Sequence, residues 1–153
     1  MSKSQSKALK GPPKGCVECG SRCCRYLCFQ IDTPESYEEF ENVRWFLMHK
    51  GVSVHIEENG DWYMSISNIC LNLGKDNLCK EYGNRPLICR KYTVDSCDFT
   101  RGAYEFTAVF KTAEQVEKYA RSTLGEKRFD RARAKSLANP AAKKKAAAKK
   151  VTK

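Results

Sequence analysis

Apolar residues recur at every second position in four stretches of the chain and at helical spacing in two others. In YLCFQI (26–31), Leu27, Phe29 and Ile31 share one face of a strand and Cys28 takes the other. TPESYEEFENVRWFLMHK (33–50) then reads as an amphipathic helix. Thr33 suits its N-cap and Pro34 its first helical position, while Tyr37, Phe40, Val43 or Arg44, and Leu47 form the stripe before Gly51 ends it.

GVSVHIEENGDWYMSIS (51–67) predicts a hairpin whose register can be argued from its loop. A two-residue Asn59-Gly60 turn would put the row Val52, Val54, Ile56 and the row Trp62, Met64, Ile66 on opposite faces. A three-residue loop, Glu58-Asn59-Gly60, pairs Ile56 with Trp62 and keeps both rows on one face, with Gly60 left-handed. That register sends His55 to the other face beside Tyr63, so neither His55 nor His49, near a helix end, is expected to bind a metal. AYEFTAVF (103–110) supplies a fourth strand, with Tyr104, Phe106, Ala108 and Phe110 in one row. TAEQVEKYARSTLG (112–125) is a helix with a Thr112–Gln115 capping box and a stripe of Val116, Tyr119, Ala120 and Leu124. A basic helix over roughly 126–137 follows. The expected fold is α+β, a small antiparallel sheet with helices on one face.

Charge divides the chain into three. Residues 1–15 hold four lysines and residues 135–153 seven, with no acid in either, so the +10 net charge belongs to the ends. The middle, 16–134, carries 17 basic and all 18 acidic residues, a net of −1. The expected organisation is a disordered basic tail over 1–15, a cysteine-cluster domain over 16–134, and a disordered Lys/Ala tail over 135–153. The Lys-rich tail suits weak, salt-sensitive contact with nucleic acid or other polyanions. No apolar run suits a secretory signal or a membrane span, so a cytoplasmic protein is expected, without membrane attachment.

Nine cysteines change the picture, because they lie in stretches too poor in apolar residues to pack themselves. A reducing compartment and an odd number both argue against a complete disulfide framework. A metal ion would tie such loops down, since structural zinc contributes about 10–16 kcal/mol of apparent folding free energy. Cys16-x-x-Cys19 is the gap that lets two sulfurs reach one ion from a single turn. Its redox reading wants a βαβ unit, which the pattern lacks. Cys23 and Cys24 are adjacent, so either one binds while the other packs, or they serve different ions or bridge two. Topology adds a condition: Cys23 and Cys24 precede the first strand and Cys70 follows the third. If those strands are antiparallel neighbours, the two groups meet at one end of the sheet.

CVECGSRCC (16–24), followed by CLNLGKDNLCKEYGNRPLICR (70–90), resembles the YkgJ-type CxxCxxCC cysteine-cluster family, domains taken to chelate zinc or iron. Cys16, Cys19, Cys23 and Cys24 match the first cluster, with one extra residue before the double cysteine. Cys70 matches an intermediate cysteine, although Leu71 stands where the family usually has proline. Cys79, Tyr82, Arg85, Pro86, Cys89 and Arg90 match the last segment residue by residue. The resemblance implies a metal site built from Cys16, Cys19, Cys23, Cys24, Cys70, Cys79 and Cys89. Cys28 and Cys97 lie outside the pattern, as eighth ligands or plain thiols.

Seven thiolates exceed one tetrahedral ion, so two ions are bound or some cysteines serve elsewhere. Around two divalent ions they would leave about −3 of net charge, which Arg22, Arg25, Arg85 and Arg90 could offset. Pro86 suits the first position of a short helix carrying Cys89, and Tyr82 reads as core. All-sulfur ligation suits zinc first, with iron or an iron–sulfur cluster as the alternative. No nucleophile–base pair, phosphate loop or cofactor fingerprint appears, so a structural role leads. A redox or enzymatic iron protein, metal storage or delivery, and docking of a protein partner stand behind it.

Overall fold

The computed structural model describes residues 18–92, 97 and 105–138. The alternating stretches form strands β1 (Tyr26–Ile31), β2 (Val52–Glu57), β3 (Trp62–Ser67) and β4 (Phe106–Phe110), in a four-stranded antiparallel sheet ordered β1-β3-β2-β4. Four helices accompany them among the described residues: α1 (Tyr37–Phe46), α2 (Leu87–Lys91), α3 (Ala113–Leu124) and α4 (Glu126–Ala138). This is the expected α+β class. None of the helices is long and apolar enough to cross a membrane. Cys16, Tyr104 of the fourth strand, the tail at 1–15 and residues 139–153 of the expected 135–153 tail lie outside the described residues, whereas residues 135–138 of that tail continue the helix α4.

The chain divides into two compact units, one of residues 1–31 and 55–108, the other of 32–54 and 109–153. In the first, β1 pairs with β3 through Tyr26↔Ser67, Leu27↔Ile66, Phe29↔Met64 and Ile31↔Trp62. The hairpin closes as its apolar rows require. The Glu57 N–H donates to the Asp61 carbonyl at 3.0 Å across a Glu58-Asn59-Gly60 loop, with Gly60 at φ +87°. Ile56, Trp62 and Met64 are buried. His55 lies on the other face, stacked on Tyr63 with centroids 5.6 Å apart. The Thr107 hydroxyl donates to the Ile56 carbonyl at 3.2 Å, beside β2. Leu27 and Phe29 lie opposite Ile66 and Met64 yet stay 56% and 45% exposed. Their strand is the sheet's edge, so sharing a face with buried residues does not by itself cover them.

The second unit is a helical assembly. Contrary to the expected Thr33 cap, α1 starts one turn later at Ser36. There the Ser36 side chain accepts from the Glu39 N–H at 3.3 Å and the Glu39 carboxylate accepts from the Ser36 N–H at 3.0 Å. A reciprocal box satisfies two orphan donors where Thr33 with Pro34 would satisfy one, and Pro34 is buried ahead of the helix. Phe40, Val43 and Leu47 bury the α1 stripe. The expected Thr112–Gln115 box opens α3, which buries Val116 and Ala120. Phe129 of α4 is buried, with its ring edge-on to Tyr37 at 5.0 Å. The Phe110 ring packs against Tyr119 of α3 at 5.1 Å. Arg121 donates to Glu126 at 2.7 Å and Asp130 at 2.9 Å, and its guanidinium covers Phe129 at 4.2 Å.

Candidate metal centre

The cysteines of the first unit are placed by turns hung on the β1–β3 pair. Before β1, Gly20 and Ser21 take left-handed backbones (φ +64° and +55°), and a 3₁₀ turn, Arg22–Cys24, leads into the strand. Past the strand ends the two segments stay bonded, first in the register of the strands and then shifted by one residue. The Asn68 N–H donates to the Arg25 carbonyl at 3.0 Å and the Cys70 N–H to the Cys24 carbonyl at 2.8 Å. The double cysteine and Cys70 therefore meet at one end of the sheet, as the topological condition required.

After Cys70 the chain folds into a tight loop. Leu73 bridges Cys79, the Gly74 N–H reaches the Leu78 carbonyl at 2.7 Å, and the Lys80 N–H reaches the Asn72 carbonyl at 2.9 Å. A 3₁₀ turn, Tyr82–Asn84, then leads to α2, which carries Cys89. Pro86 stands just outside α2 rather than at its first position, with ψ 158° extended and its carbonyl accepting the Arg90 N–H at 3.1 Å. Tyr82 is half-buried rather than core, and the Arg85 guanidinium covers its ring at 3.8 Å.

Arginines brace these loops through backbone carbonyls. Arg25 Nε donates to the Gly20 carbonyl at 2.9 Å and Nη2 to Asn77 Oδ1 at 2.6 Å. Arg85 donates to the carbonyls of Tyr82 and Cys89, both at 3.2 Å, and Arg90 to those of Arg85 and Gly83 at 2.7 and 3.3 Å. The expectation concerned their charge; each also ties a cysteine loop to itself or to its neighbour. The sequence reading missed Ser21 and Asn77. The Ser21 hydroxyl donates to the Asn77 carbonyl, and Asn77 is left-handed at φ +62°. The residue type was the available signal, since Asn tolerates that region better than other non-glycine residues.

Electrostatics link the thiols. Burial pushes the Cys24 thiol above its ordinary value, a hydrogen bond with Cys23 pulls it partly back, and Cys70, Cys79 and Cys89 each push it up again. A thiolate at Cys24 is thus repelled by thiolates at three positions from two other segments, a field that a cation would reverse. Cys23 and Cys70 are exposed, whereas Cys19, Cys24, Cys79, Cys89 and Cys97 are half-buried. Cys28 stands in β1 opposite Ser65, on the face away from Leu27.

The profile of the CxxCxxCC family, described as a "putative zinc- or iron-chelating domain", matches residues 15–120. The chain belongs to this family. All seven cysteines of the expected ligand set fall within the match, as do Cys28 and Cys97. No curated protein and no solved structure matches the chain. The donor set fits the family's chemistry, since clustered thiolates select zinc or iron over hard cations. Among the described residues no group of three or more His, Cys, Asp or Glu side chains is arranged to hold an ion. Cys23, Cys70, Cys79 and Cys89 are gathered within electrostatic range of Cys24 without forming such a group.

Proposed function

We propose that this CxxCxxCC domain binds zinc through Cys16, Cys19, Cys23, Cys24, Cys70, Cys79 and Cys89, and that the metal serves mainly to organise the cysteine loops. The observation that carries this reading is the hydrogen bond from the Cys70 amide to the Cys24 carbonyl at 2.8 Å, which brings the double cysteine beside a thiol from a segment far away in sequence. The neighbourhood supports it. Among the described residues, Ile56, Trp62 and Met64 are the large side chains buried in this unit, and all three belong to the hairpin. The loops at 18–25 and 68–92 add none, so cross-linking by metal–thiolate bonds supplies what packing does not. When bound, zinc contributes Lewis acidity and thiolate bonding. The chain's residues supply the sulfurs, the arginine donors around them, and a backbone that brings Cys24 beside Cys70.

Metal analysis of untagged protein purified without air or chelator tests the reading. Zinc in at least stoichiometric amount and no visible absorbance is the expected result. Brown protein absorbing near ~400 nm, with iron and no zinc, replaces it with the iron–sulfur alternative.

The exposure of Cys23 and Cys70 favours a second reading, an exchangeable ion held for storage or delivery. Competition with a chromophoric chelator separates the two: release within minutes favours delivery, and retention until unfolding favours structure. A cytoplasmic setting agrees with either, because both need reduced thiols.

A further inference from the structure

One polar joint holds the two cysteine segments together. Arg25 and Ser21 reach from the first segment to Asn77 in the second: Arg25 Nη2 donates to Asn77 Oδ1 at 2.6 Å and the Ser21 hydroxyl donates to the Asn77 carbonyl. Arg25 also returns to its own loop through the Gly20 carbonyl at 2.9 Å. Asn77 lies two residues before Cys79, and Ser21 and Arg25 bracket Cys23 and Cys24.

Two features set this joint apart from an ordinary surface contact. Ser21 and Asn77 are the non-glycine residues with positive φ among the described residues, at 55° and 62°, and they bond to each other. A left-handed backbone is unfavourable for a residue with a Cβ and persists where the surroundings over-determine it. Ser21 is also the one buried polar residue among those described. Secondary structure accounts for neither feature, since both residues sit in turns outside every strand and helix.

We infer that Asn77, with Ser21 and Arg25, is a positioning element for the metal centre. It sets the offset between the Cys19–Cys24 segment and the Cys70–Cys79 loop before an ion arrives, so that sulfurs from both face a common site. This rests on the metal-centre reading above. The contacts are made by protein groups alone, so they hold the two segments together independently of any ion. Residues that orient ligands in this way typically change metal affinity by about 10–100-fold when removed.

The test uses the full chain and Zn²⁺ alone, with affinity read by chelator competition. Asn77→Gly tolerates the left-handed backbone, keeps the carbonyl that accepts from Ser21, and deletes the side chain whose Oδ1 accepts from Arg25. Its dissociation constant should rise about tenfold with the number of ions at saturation unchanged. Asn77→Asp restores an acceptor for Arg25 and should stay within about twofold of wild type. Arg25→Ala cuts the same bond from the other side, along with the one to the Gly20 carbonyl, and the double variant should be no weaker than Arg25→Ala alone, because that change already removes what Asn77→Gly deletes. In metal-stripped Asn77→Gly, hydrogen exchange at the Cys70 amide should also quicken. A merely structural role would lower the melting temperature while leaving the affinity of the folded variants, and the Asp rescue, unmoved. Should Asn77→Gly fail to fold, Arg25→Ala carries the comparison. Normal uptake by wild type with unaltered affinity in Asn77→Gly and Arg25→Ala overturns this proposal alone. Wild-type protein that takes up neither Zn²⁺ nor, anaerobically, Fe²⁺ overturns the metal reading as well.

Discussion

The two units of this chain are held together by different physics. In the helical unit, Phe40, Val43, Leu47, Val116, Ala120 and Phe129 are buried, and reciprocal boxes cap α1 and α3. In the cysteine unit, the loops at 18–25 and 68–92 bury one polar side chain, Ser21, and none of the core's apolar residues. Their order comes from hydrogen bonds, backbone to backbone within the turns and arginine or hydroxyl to carbonyl around them. Apolar burial is additive and tolerant, whereas a loop built on single polar contacts has little to spare. A family described as zinc- or iron-chelating has use for the second kind of construction, since an ion can complete what packing leaves open.

The largest expected effect separates the units. Stripping metal from the purified protein should sharply lower hydrogen-exchange protection across 68–92, since metal–thiolate bonding at a structural site is worth about 10–16 kcal/mol, and leave at the Cys70 amide the residual protection that the Asn77 joint supplies. Protection in α1, α3 and α4 should largely survive. Equal loss in both units would erase the contrast. Phe129→Ala comes next. Phe129 is 1% exposed and packs edge-on to Tyr37, so truncation should destabilise the helical unit by about 3–5 kcal/mol in urea unfolding. Metal content per folded chain should not change. Thr112→Ala, which breaks the α3 capping box, should lower stability by about 1 kcal/mol in the same assay.

The smallest effect sharpens the contrast from the other side. The folded Cys24 thiol is raised above 9.0, chiefly by burial, with Cys70, Cys79 and Cys89 adding to it. Below that pH the thiol is protonated whether the chain is folded or not. As pH climbs past 9.0 the unfolded chain ionises first, so metal-free stability falls until the raised folded value is passed. Cys24→Ser should flatten part of that decline in urea midpoints measured from about pH 8 to about pH 10. With metal the sign reverses, because binding displaces the proton and apparent affinity grows as pH rises.

The helical unit was largely legible because its signals are local. Thr112 and Gln115 announce a capping box by spacing alone, and the Val52–Ile66 rows select one loop length. The α1 start was misplaced because Thr33 with Pro34 makes a good isolated signal, and only the three-residue step from Ser36 to Glu39 makes a better one. The cysteine unit was legible in what it gathers and obscure in how. Chain order and strand pairing predicted that Cys24 and Cys70 would meet. Nothing periodic marks Ser21 or Asn77, whose roles depend on a contact across 56 positions. The arginines were read as charge because composition reveals charge, while their carbonyl partners exist only after folding.

The hydrogen bond from the Cys70 amide to the Cys24 carbonyl breaks step with the strands it follows. Tyr26 faces Ser67 and the Asn68 amide meets the Arg25 carbonyl in the same register, so an unbroken ladder would bring the Cys70 amide to Cys23. It goes to Cys24 instead, one residue on, inside a 3₁₀ turn. An extra residue of this kind re-aims the side chains beyond it. Deleting one residue between Asn68 and Cys70 would restore even step and re-aim the Cys70 sulfur, so length variation among homologous chains should spare that step and collect in the loop between Cys70 and Cys79.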